Sequence, residues 1–206
     1  MLRISYPEEG VRPKDSGSQF VVNLPTTKEL WLSYRFKFEE GFDFKRGGKL
    51  PGLTSGGSFY TGGNIPVTGD GWSARFMWRN SGTYANGLYI YAYYVGQENT
   101  QWGDSIPLDD RVAKIVPGQW HRLTQRIKLN DSDQSNGEID VWFDDEIAYS
   151  SSSFRWREGA EGMIDAFYFS TFHGGQSSDW APEVDSFCRF DDFLVSREAP
   201  GFIGGE

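Results

Sequence analysis

The chain has 206 residues, a length that suits one domain with a sizeable core. Hydrophobic residues make up 38% and aromatic residues 17%, with no apolar run near the roughly 18–20 residues that a membrane-spanning helix needs, so a helical membrane protein is excluded. Lys and Arg number 20 against 29 Asp and Glu, and the resulting net charge of −9 repels nucleic-acid phosphates and anionic lipid.

The N-terminal MLRISYPEEG lacks the basic, apolar and small-residue order of a secretory signal. After it come short runs rich in Val, Ile, Tyr, Phe and Trp, at residues 19–23, 30–38, 72–79, 87–95, 121–130, 137–143, 165–172 and 187–196. Clusters of Gly, Asn, Asp and Ser separate them, and helical periodicity is nearly absent. The pattern predicts an all-β domain over residues 1–206, two packed antiparallel sheets in a jelly-roll sandwich. SSSS at 150–153 reads as a loop and FDDE at 143–146 as the turn of a hairpin. Two Gly-rich connections, 46–71 and 96–119, exceed ordinary loop length, which marks them as functional or disordered segments. The lone Cys188 permits no intrachain disulfide, and two histidines 52 positions apart offer no ligand spacing.

Charge is unevenly spread. Between positions 45 and 79 stand Lys45, Arg46, Lys49, Arg75 and Arg79 against the single acid Asp70. Within 73–79, Ser73, Arg75, Met77 and Arg79 share one parity while Ala74, Phe76 and Trp78 share the other, as a half-buried strand requires. If NSGTYANG connects a hairpin, Arg79 pairs with Gly87, which sets Met77 opposite Tyr89, Arg75 opposite Tyr91 and Ser73 opposite Tyr93. A slip of one residue would bury Arg75 beside Leu88 and Ile90, so this register is strongly specified.

GGKLPGL at 47–53, TGG at 61–63, GWSARFMWR at 71–79, the Tyr-x-Tyr of Tyr89 and Tyr91, and FSTFHGG at 169–175 together resemble polysaccharide lyase family 14, with the glucuronan lyases of family 20 close behind. The resemblance spans roughly residues 30–196 and departs from the family's pattern in TSGGSFYTGG and at His173. It implies a β-jelly-roll enzyme that cleaves alginate or glucuronan by β-elimination, with Lys49, Ser73, Arg75, Tyr89 and Tyr91 as the functional set. It also implies an anionic polysaccharide as partner, a monomer, no required cofactor, and an extracellular location inferred from that substrate.

β-Elimination removes the C5 proton next to a uronate carboxylate and expels the oxygen at C4. The carboxylate activates that proton only once its charge is neutralised, and Arg75 suits the task because a guanidinium pairs bidentately with a carboxylate. Tyr91 and Lys49 are the candidates for proton exchange, with Tyr89 beside them. A phenol near two cations is expected to have its pKa lowered. The Gly- and Pro-containing segment around Lys49 reads as a mobile loop that reaches across a groove. Ser73, Arg79, Tyr93, His173, Gln125 and Trp142 are candidate substrate contacts.

Other signals read as bland. Glu138, Asp140 and Asp144 share parity, but Trp142 stands at the step where the second acid of a hydrolase pair is needed. His121 at a strand start reads as structural. Glu8, Glu9, Asp191 and Asp192 could hold a structural Ca²⁺ if the chain ends met, although no loop signature supports it. The rival functions are a non-catalytic carbohydrate-binding module and a glycoside hydrolase on the same fold.

Overall fold

Alternating apolar residues sort the chain into two antiparallel sheets. The computed structural model describes residues 1–81 and 84–203. Among them lie twelve strands: β1 (Leu2–Tyr6), β2 (Ser18–Thr27), β3 (Glu29–Phe38), β4 (Gly47–Ser55), β5 (Trp72–Ser81), β6 (Tyr84–Tyr93), β7 (Asp104–Pro107), β8 (His121–Lys128), β9 (Gly137–Phe143), β10 (Glu146–Phe154), β11 (Ile164–His173) and β12 (Ser186–Ser196). One short helix, α1 (Arg12–Asp15), and a 3₁₀ turn at Ser178–Trp180 complete the elements. The first sheet has the order β1-β12-β3-β8-β9-β10 and the second β2-β11-β4-β5-β6-β7, the expected jelly-roll sandwich.

The core lies between the sheets. β3 gives it Leu30, Leu32, Tyr34, Phe36 and Phe38, and β5 answers from the second sheet with Ala74, Phe76 and Trp78. Each buried Leu or Phe is worth about 1.5–3 kcal/mol relative to exposure. Tight turns follow local chemistry: Asp144 and Asp145 adopt φ of 50° and 70° between β9 and β10, the left-handed pair a two-residue hairpin needs, where FDDE was expected to turn.

Four strands depart from the expected runs. β1 and β7 are short, and β10 includes the SSSS segment, whose serines sit on the edge strand of the first sheet and not in a loop. The largest departure is β4: the segment expected to be a mobile loop is an interior strand between β11 and β5. Its Pro51 lacks an N–H and would break an ordinary central ladder, but the register shifts on the β5 side between Leu50 and Leu53, and Pro51 lies in that bulge. Gly52 is obligatory there, since a Cβ would stand 2.1 Å from the Ala74 carbonyl oxygen. Core polar groups serve the freed backbone. Tyr34 Oη donates to the Pro51 carbonyl at 3.1 Å, Gln125 Oε1 accepts from the Leu53 amide at 3.1 Å, and Gln125 Nε2 donates to the Ala74 carbonyl at 2.9 Å.

Candidate active site

The expected register holds: Ser73 faces Tyr93, Arg75 faces Tyr91, Met77 faces Tyr89 and Arg79 faces Gly87. The side of the second sheet turned away from the core thus carries cations and phenols in rows. One row crosses five strands as Phe172, Lys49, Met77, Tyr89 and Pro107, and the next places Arg75, Tyr91 and Ser105 side by side. A small apolar cluster of Tyr60, Met77, Tyr91 and Tyr93, separate from the main core, floors this trough.

Arg75 is 3% exposed, and no carboxylate among the described residues pairs with it. Its Nη1 donates to Ser170 Oγ at 3.0 Å, Gln19 Nε2 donates to the same oxygen at 2.9 Å, and the Arg75 Nε has no partner. The guanidinium lies 5.8 Å from the Tyr91 ring and 5.4 Å from that of Tyr168. Buried donors without an acid form a receptor for an anion supplied from outside.

Lys49 projects from β4, with Nζ 4.1 Å from the Tyr91 ring centroid and donating to Met77 Sδ at 3.2 Å. Burial, then the positive charges of Arg75 and Arg79, hold its pKa well below the usual lysine value. A buried ammonium whose one hydrogen-bond acceptor among the described residues is a thioether sheds its proton readily, so the amine is suited to be a base. Tyr91 departs from expectation. Burial pushes its phenol above the ordinary value and outweighs the lowering by Arg75, so it holds its proton and is suited to be an acid.

The segment 56–71 lies over one end of the trough. Ser73 Oγ donates to the Tyr60 carbonyl at 2.7 Å, the Gly63 amide donates to Tyr93 Oη at 3.1 Å, and Tyr60 Oη donates to Asp70 at 2.7 Å. Ser73 and Tyr93 are both wholly buried beneath it. Of the five clustered basic residues, Lys45 pairs with Glu183 and Arg46 with Asp179, which leaves Lys49, Arg75 and Arg79 as the positive charge of this face.

Three candidate contacts lie elsewhere. His173 shares its parity with Thr171 and Phe169 and points to the interior, stacked on Phe42 at 5.4 Å and edge-on to Tyr6 and Trp78. Its Nε2 donates to the Asp43 carbonyl at 2.7 Å, and burial lowers its pKa to about 4. Gln125 sits between the sheets on the β4 bulge. Trp142 lies on the outer side of the first sheet, stacked on Trp31 at 5.1 Å, and Asp140 on that side binds Arg126. His121 is structural as expected, bonded to Asp144 at 2.7 Å. Glu8 and Glu9 follow Tyr6, which pairs with Ser186, whereas Asp191 lies at the other end of β12 beside Met1, so the four acids do not converge. Among the described residues no group of three or more His, Cys, Asp or Glu is placed to hold a metal ion.

Sequence reasoning missed Ser170, Tyr168 and Phe172, which share the trough face of β11. Both parities of DAFYFSTFH carry aromatic residues, so alternation could not tell the two faces apart. Two open recesses of about 360 and 420 Å³ lie along the β7 and β10 edges; the first reaches Tyr89 and Pro107 at the end of the trough row, and neither is lined by Lys49, Arg75 or Tyr91. Their linings include Asp109 and Asp110 in one and Glu98 and Asp104 in the other, a poor setting for a polyanion.

Sandwich and trough define the class, a jelly-roll polysaccharide lyase. The sequence matches the family described as polysaccharide lyase 14 over residues 1–193, and the chain belongs to that family. It is similar to the structure of alginate lyase Aly36B, at 25% identity and TM-score 0.83 over 94% of this chain and 79% of that one. It is likewise similar to the PL-14 alginate lyase from Aplysia kurodai, at 25% identity and TM-score 0.79 over 96% and 82%. The endo-β-1,4-glucuronan lyase from the fungus Trichoderma reesei shares the fold at 14% identity and TM-score 0.61 over 95% and 79%. A search of curated proteins gave no match.

Proposed function

We propose that this lyase acts on alginate, with Arg75 neutralising the uronate carboxylate, the neutral amine of Lys49 removing the C5 proton and Tyr91 protonating the departing O4. The electron pair of the C5–H bond becomes the C4–C5 double bond as the C4–O bond breaks, and the product carries an unsaturated uronate end. The observation that carries this reading is the buried guanidinium of Arg75, which lacks an acid and adjoins both an amine depressed by burial and a phenol that keeps its proton. Solved complexes of the Aly36B lyase with alginate tetra- and trisaccharide support it. The lysine and tyrosine replaced in the first are 42 positions apart, as are Lys49 and Tyr91, and the lysine and methionine replaced in the second are 28 apart, as are Lys49 and Met77. Tyr89, opposite Met77 and farther along the trough, together with Arg79, would bind flanking sugar. Residues 1–206 would act as one catalytic unit, as a monomer since one chain supplies the whole constellation, and outside the cell where such a polymer is met.

Incubation with alginate and, separately, glucuronan while recording unsaturated-uronate absorbance tests the proposal. Alginate is expected to give the chromophore, and Arg75→Ala to abolish it by about 10²-fold or more in a folded protein. Chromophore from glucuronan alone would reassign the substrate. New reducing ends without chromophore would mean hydrolysis, and retention of sugar without either would mean binding only.

A further inference from the structure

We propose that Tyr93 is a positioning residue, held by the amide of Gly63 so that its hydroxyl hydrogen is aimed at Tyr91 and the proton of Tyr91 is left free for the sugar. This inference rests on the reading of Tyr91 as the proton donor.

The direction of the hydrogen bonds follows from counting donors. Tyr91 Oη and Tyr93 Oη are 3.2 Å apart, and geometry alone allows either to donate. The Gly63 N–H already donates to Tyr93 Oη at 3.1 Å. Tyr93 is wholly buried, and among the described residues Tyr91 Oη is the one acceptor within reach of its hydroxyl hydrogen. If Tyr91 donated to Tyr93 instead, the Tyr93 hydrogen would be buried without a partner, which is costly. Tyr91 borders the trough and can find an acceptor there. The chain therefore runs from the Gly63 N–H to Tyr93, from the Tyr93 O–H to Tyr91, and from the Tyr91 O–H outward.

The same geometry serves the moment after proton transfer. Once Tyr91 has given its proton to O4 it is a phenolate, and the Tyr93 O–H already points at the new charge without reorganising. Position 103 must be glycine for the chain to pass this close to Tyr93 and hold its ring in place, since a Cβ there would lie 2.7 Å from the Tyr93 ring and 2.8 Å from the Ala92 carbonyl oxygen. Lys49, which took the C5 proton, sits against the Tyr91 ring, and loss of one proton from its ammonium to solvent with uptake of one by the phenolate restores both groups. The segment around Gly63, one residue removed from the reacting phenol, thereby sets which phenol hydrogen is available.

A double-mutant cycle on kcat tests this, with Tyr91→Phe, Tyr93→Phe and the double variant assayed on alginate and checked for folding by circular dichroism and Tm. Tyr93→Phe is expected to lose about 10- to 100-fold in kcat, what one hydrogen bond to a charged group is worth, with KM within about threefold of wild type. The double variant is expected to match Tyr91→Phe, because Tyr93 acts only through that phenol. A Tyr93→Phe enzyme with kcat within twofold of wild type would overturn the inference, as would a double variant slower than Tyr91→Phe by the full Tyr93 factor. Wild-type turnover in Tyr91→Phe would instead remove Tyr91 as donor, a failure of the underlying reading, and the inference would fall with it.

Discussion

Lys49 carries the sharpest physical tension in the molecule. Its unfolded-state pKa is near 10.5 and burial depresses the folded one, so below 10.5 the unfolded chain binds a proton that the folded chain resists. Stability therefore rises with pH up to about 10.5, and at neutral pH the lysine opposes folding. Lys49→Met, beside Met77 and Phe172, should lose about 10²- to 10⁴-fold in turnover yet raise Tm by about 2–4 °C for each kcal/mol relieved. The gain should shrink as the pH of the melt approaches 10.5. A lower Tm at neutral pH, or normal turnover, would contradict this account. Arg75 shows the same economy, since its guanidinium is fixed by Ser170 and awaits its counter-charge from a ligand.

At the level of elements, β4 decides where the amine stands. Alternation made β5 and β6 legible down to the register, because a misplaced arginine forbids any slip. It could not reveal β4, since GGKLPGL has three glycines and a proline and no period of two. The strand exists because β11 and β5 pair with its two sides and core groups satisfy its bulge, all partners distant in sequence. Gln125 belongs to that set, so a polar residue that looked like a sugar contact is a backbone partner. Gln125→Leu would leave the Leu53 N–H and the Ala74 C=O bare in the core and should cost roughly 2–4 kcal/mol, read as a lower midpoint in urea. KM for alginate should stay at the wild-type value in the folded enzyme. A raised KM with an unchanged midpoint would return Gln125 to the substrate.

On the scale of the whole molecule, the aromatic group of Tyr6, Phe38, Phe42, Trp78 and His173 ties the two sheets together. His173 titrates near 4 in the fold against 6.5 unfolded, so the stability it permits is complete above about pH 6.5 and is lost as pH falls toward about 4. At 1.36 kcal/mol per unit the loss is about 3 kcal/mol. His173→Gln should flatten the fall in Tm across that interval, and parallel curves for the two proteins would refute the assignment. The sandwich itself was readable from eight apolar runs, and so was the trough as a face of Arg75 and Tyr91. What the chain order concealed was which side of a strand faced inward when both sides were apolar, as on β11, where His173 at the strand end points into the core and not to the rim.

An amine anchored in an interior ladder does not wait for a sugar to dry it. Folding itself strips water from Lys49, so the reactive form is manufactured once, when the chain is made, and not anew at every encounter with the polymer. Any change that loosens the packing of Met77 and Tyr91 over that nitrogen would rehydrate it and silence the enzyme before the protein visibly came apart.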